Sequence, residues 1–509
     1  MKDSNINALF RSLDECGEGA INKADILERL TKSGIAISDS RLPNFLSQLD
    51  EIKGNKINTE DFDNLVSQSG TLFERVIKGT LVIPQFEQFI GEIRNIYNEV
   101  LENRDGKVAD YIPQLGRVPA DKFGISICTV DGQRYSIGDV GEVFTLQSSC
   151  KPILYCAALE EHGETKVHKH VGREPSGLSF NELTLNRTGL PHNPMINAGA
   201  IMTSSLIRRD LSNADRLEYL NNIVKKLCGN ISPGFNNAVF HSERETADRN
   251  FALAHHMRER GAFPAGVAIN STLDYYFAAC STEVNTSTMS TISATLANGG
   301  ICPQTGNRVF SEETIKNCLS MMYSCGMYDY SGEFAFKVGI PAKSSVSGVI
   351  MAVIPNVLGI AVWSPRLDSC GNSVRGVEFL KRLVERFCFH NYDSLLETNK
   401  IDPRRIRQES ETNFIYQGIY AASIGDINEL KRLLAHGHDL NRADYDGRTP
   451  LHLAAAEGQI ETVKYLLNQK VARHSKDRWG CTPYDDAVRH KHDTSAQLLA
   501  PKALSKKVA

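Results

Sequence analysis

Gln147-Ser148-Ser149-Cys150-Lys151-Pro152 is the stretch on which the fold turns. Ser148 and Lys151 are three apart, so a helix beginning here sets both on one face. Pro152 suits only the first turn of that helix, since deeper in it would remove a hydrogen bond and clash with the preceding turn. A serine then stands at a helix N-terminus, where free N–H groups and the dipole favour developing negative charge. A partly desolvated lysine beside it can lose its proton near neutral pH and act as base for the hydroxyl. An S-x-x-K spacing alone arises by chance in long chains, so its neighbours decide its meaning.

Just upstream, residues 125–130 and 134–138 flank Asp131-Gly132, a strong signal for a tight antiparallel hairpin. Downstream, helical periods run over 151–161 and 213–227. The apolar run 349–363 is too short to span a membrane; Pro355-Asn356 breaks it into two buried strands around a turn. An early hairpin, central helices and late strands predict an α+β fold, an antiparallel sheet packed by helices from both ends of the block.

Serine acylases with S-x-x-K carry a second hydroxyl-bearing element and a K-[ST]-G strand. This chain has Pro341-Ala342-Lys343-Ser344-Ser345-Val346-Ser347-Gly348 entering an apolar strand. It also has Ser324-Cys325-Gly326-Met327-Tyr328-Asp329, where a glycine next to Tyr328 can aim a phenol into a cleft. A buried tyrosine near a lysine can shuttle protons; otherwise it is a core aromatic.

The 509 residues exceed one ordinary core and predict two to four domains. With 41% hydrophobic and 23% charged residues the composition is that of a soluble globular protein, and the net charge of −3 suggests no nucleic-acid or membrane-surface partner. Twelve cysteines without CxxC pairing argue against zinc ribbons and disulfide-stapled domains and fit reduced intracellular thiols. His162, His168, His170, His255 and His256 lack a carboxylate or cysteine partner in the sequence and read as structural or surface residues. No metal site is expected. Met1-Lys2-Asp3-Ser4-Asn5 has neither the apolar core of a signal peptide nor the Arg-rich character of a transit peptide, which predicts the cytosol unless a targeting segment lies outside this sequence.

Residues 1–75 have apolar residues at helical spacing and two stretches like EF-hand loops, Asp14 to Asp25 and Asp50 to Asp61. Cys16 and Ile52 stand at third positions, Gly54 at a fifth, and Asp25 and Asp61 at twelfths, where calcium needs oxygen ligands and a bidentate Glu. The expectation is a helix-pair module that has lost calcium. At the other end, Asp446-Gly447-Arg448-Thr449-Pro450-Leu451-His452-Leu453-Ala454-Ala455 matches the ankyrin signature, and Thr449 recurs as Thr482 after 33 residues. Residues 411–500 are therefore a short ankyrin stack, a place for a protein partner. The middle domain covers 79–400.

The resemblance is then specific. Ala109-Asp110-Tyr111-Ile112-Pro113-Gln114-Leu115, Pro191-His192-Asn193-Pro194-Met195-Ile196-Asn197-Ala198-Gly199-Ala200-Ile201 and Ser242-Glu243-Arg244-Glu245 resemble the serine-dependent glutaminases. So do Ala294-Thr295-Leu296-Ala297-Asn298-Gly299-Gly300 and Gly326-Met327-Tyr328-Asp329. The order of EF-hand-like module, catalytic domain and ankyrin repeats is similar to the animal kidney/liver-type enzymes. The resemblance implies a β-lactamase-like domain that hydrolyses L-glutamine to L-glutamate and ammonia through a γ-glutamyl-serine intermediate, without a cofactor. It makes Ser148 the nucleophile, Lys151 its base and Tyr328 a proton relay, with the N–H groups of Ser148 and Val346 as oxyanion donors. Glu243 would pair the α-ammonium, and Tyr111, Asn197, Asn250 and Tyr276 would supply hydrogen bonds. Glu243 and Asn250 are seven apart and are expected on one helix face. The resemblance also implies a homotetramer and a mitochondrial location.

Two departures stand out. Ser345 replaces the glycine of the family's Lys-Ser-Gly, and its bulk is expected to displace the Val346 donor and lower activity. Gly177-Leu178-Ser179-Phe180-Asn181-Glu182-Leu183-Thr184 matches the family's gating loop, but Thr184 and His256 stand where aromatics are common. The alternatives are another acyl-serine hydrolase, acting on β-lactams or peptides, and a scaffold whose middle block has decayed.

Overall fold

The computed structural model describes the chain apart from residues 1–9, 11–12, 15–17, 69, 178–181, 396–399, 406, 436–437 and 502–509, and the side chains of 67–71, 406–413 and 435–437. Cys16 and much of the gating loop lie outside the described residues. The chain divides into two compact units, Met1–Arg404 and Arg405–Ala509.

The first unit is built on a five-stranded antiparallel sheet. Its strands are β1 (Gly124–Thr129), β2 (Arg134–Gly138), β3 (Ala342–Ser344), β4 (Val349–Ile354) and β5 (Leu358–Trp363), in spatial order β2-β1-β5-β4-β3. The two apolar runs around Pro355-Asn356 become β4 and β5, paired from Val349 with Trp363 to Ile354 with Leu358. Asn356 takes a left-handed φ of 61° at their turn. β4 and β5 read as continuous apolar runs because both faces are covered. Alternate residues go opposite ways: Val349, Met351 and Val353 join one core cluster, and Ile350, Ala352 and Ile354 join the other.

One face packs against α1 (Phe86–Leu101), whose Phe86, Phe89, Ile93, Ile96 and Val100 recur at helical spacing, and against the helix Val374–Arg386. The other face carries the helical body: α2 (Lys151–His162), α3 (Asn197–Leu206), α4 (Asn213–Leu227), α5 (Asn237–Glu245), α6 (Asp248–Glu259), α7 (Ile269–Cys280), α8 (Thr286–Ala297) and α9 (Glu312–Cys325). α8 lies directly on β5, so close that a Cβ at Gly359 would stand 2.1 Å from the Ala294 nitrogen. The observed architecture is the α+β one expected.

The N-terminal helices Lys23–Lys32, Pro43–Glu51, Thr59–Gln68 and Gly70–Lys78 surround a small core of Ile26, Leu30, Phe45, Phe62 and Phe73. Between them Ile21 pairs with Ile57 in a two-stranded ribbon, the contact two EF-hand loops make with each other. The loop interiors hold protein bonds: Asp14 accepts from the Glu18 and Gly19 N–H groups, and Lys56 Nζ lies 2.6 Å from Glu18 Oε2. This module grips the β1–β2 hairpin. Buried Asp131 pairs with Arg75 at 2.6 Å and its carbonyl accepts from Arg41, while Arg134 N donates to Gly34 O at 2.8 Å.

The second unit consists of helix pairs Arg407–Ile424 with Ile427–Ala435, Pro450–Ala456 with Ile460–Asn468, and Pro483–Arg489 with Asp493–Leu499. Thr449 and Thr482 cap equivalent helices, and Arg448 reaches from one repeat to buried Asp486 in the next at 2.9 Å.

Candidate active site

Ser148 does not begin an α-helix. It lies in a 3-10 turn, Gln147–Cys150, which passes into α2 at Lys151, with Pro152 in the first turn of that helix. The tighter turn follows from Gln147, whose φ of 47° is left-handed and cannot continue a helix. Leu146 is pinned on both sides of its peptide: its N–H donates to Thr282 O and its carbonyl accepts from Ser149 N.

Lys151 is completely buried, and its Nζ donates to Asn197 Oδ1 at 2.7 Å. Burial lowers its pKa to about 8. Asn197 begins α3 and gathers the neighbouring groups. Its Nδ2 reaches Asn250 Oδ1 at 3.4 Å, and Tyr276 of α7 donates to its Oδ1 at 3.4 Å. Behind Lys151 the thiols of Cys150 and Cys280 approach to 4.0 Å.

Tyr328 arrives from the far side of the cleft on a short 3-10 turn after α9, at a left-handed φ of 54°. Gly326 permits this path, since a Cβ there would fall 1.8 Å from the Ala342 carbonyl on β3. The phenol faces the Ser148 hydroxyl and the Val346 backbone, which favour its ionised form; burial outweighs them and raises its pKa, keeping it protonated near neutrality. Lys343 of β3 is also fully buried, donates to Ser344 O at 2.6 Å, and lies 4.4 Å from the Tyr328 ring centre.

Glu243 forms the other end of the site. It is 8% exposed, its Oε1 accepts from Tyr111 Oη at 2.6 Å, and no cation pairs with it among the described residues. Burial raises its pKa, opposed by the Tyr111 hydrogen bond and the nearby Gln147 amide. A desolvated carboxylate with no positive partner is suited to receive one.

One expectation fails. Glu243 and Asn250 do not share a helix face, because α5 ends at Glu245, Thr246 bonds back to the Ser242 carbonyl, and α6 starts afresh at Asp248. Glu243 instead meets Tyr111 and Gln147, whereas Asn250 meets Asn197. Another residue escaped the sequence reading: Gln147, 3% exposed, turns its amide toward Tyr111 and Glu243. Its only signal was adjacency to Ser148. The histidines tie to backbone or stay outside: His162 bonds Leu206 O, His168 bonds Val171 O and Tyr155, His170 bonds Ala262 O, His255 is exposed, and His256 lies near Glu259. Among the described residues no cluster of three or more His, Cys, Asp or Glu could hold a metal ion.

The profile of a family described as glutaminase matches residues 106–392, one of ankyrin repeats matches 419–508, and one of an EF-hand domain matches 6–84. The chain is 46% identical over 498 residues to a protein named glutaminase liver isoform, mitochondrial, of Mus musculus, covering 96% of this chain and 83% of the relative. It is 44% identical over 306 residues to a glutaminase of Nostoc, covering 60% of this chain and 90% of the relative. Among solved structures, the probable glutaminase ybaS superposes with a TM-score of 0.56 at 36% identity, covering 58% of this chain and 96% of that one.

Proposed function

This chain belongs to the glutaminase family and hydrolyses L-glutamine to L-glutamate and ammonia, and we propose that it does so through a γ-glutamyl ester on Ser148. The observation that carries this mechanism is a fully buried Lys151 with a neutral hydrogen-bond partner, one turn from a serine that a phenol also reaches.

In this mechanism Lys151, neutral, takes the Ser148 proton as Oγ attacks the δ-carboxamide carbon. The negative charge that forms on the amide oxygen meets the N–H groups of Ser148 and Val346. Each such donor is worth about 3–4 kcal/mol when aimed at the transition state. Tyr328 passes a proton to the departing nitrogen and is reprotonated by Lys151, which returns to its neutral form; the C–N bond breaks, and ammonia leaves. Water then attacks the ester carbonyl as neutral Lys151 takes its proton, and Lys151 passes that proton to the departing Ser148 Oγ, freeing glutamate and the serine hydroxyl.

Selection falls to the far end. Glu243 pairs the α-ammonium of the free amino acid, held by Tyr111, while Asn197, Asn250 and Tyr276 bond the α-carboxylate end without adding charge. Ammonia release from L-glutamine, beside nitrocefin and peptide amides as substrates, tests this reading. Turnover of nitrocefin or peptides with none of glutamine overturns it, and loss of all three activities supports a scaffold.

The mouse relative's name supports a mitochondrial location, with the cytosol as the alternative. Self-association as a homotetramer and a protein partner on the ankyrin repeats complete the reading; sedimentation of the full chain tests the former.

A further inference from the structure

Ser345, expected to crowd the site, is fully buried and its hydroxyl is engaged. Its Oγ donates to the Leu146 carbonyl at 2.8 Å and lies 3.0 Å from Ser347 Oγ. The only proton on Ser345 Oγ goes to Leu146, so Ser347 donates to Ser345 and the bonds run in one direction. Leu146 O also accepts from Ser149 N and Ser149 Oγ.

The two ends of this contact matter. Residues 345–348 form a tight turn, with Gly348 N donating to Ser345 O at 3.0 Å, and the turn bears the Val346 N–H. The Trp363 indole holds its far side through Ser347 O at 2.9 Å. Leu146 opens the turn that bears Ser148. A glycine at 345 would lack this side-chain tie to that turn.

We propose that Ser345 is a positioning residue for the reaction, setting the Val346 N–H against the nucleophile turn through the Leu146 carbonyl. This rests on the reading that the Ser148 and Val346 N–H groups receive the oxyanion. Loss of the tie should spare glutamine binding, because the hydrogen bonds of Glu243, Tyr111 and Asn250 do not run through Ser345, and should loosen chiefly the donor that acts in the transition state. A displacement of about 1 Å at such a donor can cost about a hundredfold in rate, and a smaller one correspondingly less.

The experiment compares kcat, KM and thermal midpoint of full-length wild type, Ser345→Ala and Ser347→Ala. Expected for Ser345→Ala is a kcat about ten- to a hundredfold lower, with KM within about twofold and the midpoint within about 2 °C. Ser347→Ala, which keeps the Ser345–Leu146 bond, should stay within about twofold of wild type in kcat. Wild-type kcat in Ser345→Ala overturns the proposal. So does an equal loss in both variants accompanied by a lower midpoint, which makes the hydroxyls merely structural. Ser148→Ala in parallel separates the two readings: its continued turnover would remove the underlying mechanism, whatever Ser345 does.

Discussion

Lys151 Nζ donates its 2.7 Å hydrogen bond to the uncharged Asn197 Oδ1. Nothing in that pair compensates a positive charge, and burial brings the lysine pKa down from 10.5 to about 8. The base is active when neutral, so kcat/KM should rise with pH through about 8 and level off above it. Below about 8 it should fall about tenfold per pH unit. A profile from pH 6 to 9.5 with a carboxylate-like limb near 5 and no change around 8 would assign the base elsewhere.

Ser148→Ala should lower ammonia release by at least about a thousandfold while leaving the circular dichroism spectrum and thermal midpoint unchanged. Activity above that floor moves the nucleophile to Ser149, whose hydroxyl is turned away toward Leu146 O at 2.5 Å.

Glu243→Gln keeps the shape of the site and removes its charge. Leaving the substrate ammonium without its counter-ion should cost about 2–5 kcal/mol in kcat/KM. Tyr111→Phe removes one hydrogen bond to a charged carboxylate and should cost less, about 1.5–3 kcal/mol. Equal kcat/KM for Glu243→Gln and wild type would place the ammonium elsewhere.

In the second unit, Asp486 is 1% exposed and bonded to Arg448 of the preceding repeat. Asp486→Ala strands a partly buried guanidinium and should destabilise the repeats by about 3 kcal/mol. Differential scanning calorimetry should show an early transition, and an unchanged trace refutes the coupling of the two repeats by this pair.

What the sequence disclosed depended on how local the signal was. β4 and β5 were legible because their apolar runs are unbroken on either side of a turn. The repeats were legible because Thr449 and Thr482 keep a 33-residue period. α8 carried no such mark: Thr286-Ser287-Thr288-Met289-Ser290-Thr291 is rich in hydroxyls, yet it is the helix laid on the sheet. Its side chains return to its own carbonyls, as Thr291 does to Ser287 O and Ser293 to Met289 O, leaving a lean surface that lets Gly359 approach. The break between α5 and α6 has neither proline nor glycine, so the seven-residue spacing of Glu243 and Asn250 was misleading. The site's residue types were readable by resemblance; the left-handed turns at Gln147 and Tyr328 that aim them were not, because neither residue is of a kind that favours such a backbone. The bond of the Ser345 hydroxyl to Leu146 O was not readable either, because its partner lies 199 residues away in the chain.

The grip of Arg41, Arg75 and Gly34 on the β1–β2 hairpin bears on how this chain tolerates being shortened. β2 is an outer strand, and an outer strand with open N–H and C=O groups invites another chain to pair with it. Here the N-terminal helices occupy the tip of that border and bury the Asp131 carboxylate with it. Clipping the chain between the module and the catalytic block would uncover an adhesive margin and an unpaired acid together. Arg41, Arg75 and Gly34 thus shield the tip of an open sheet edge.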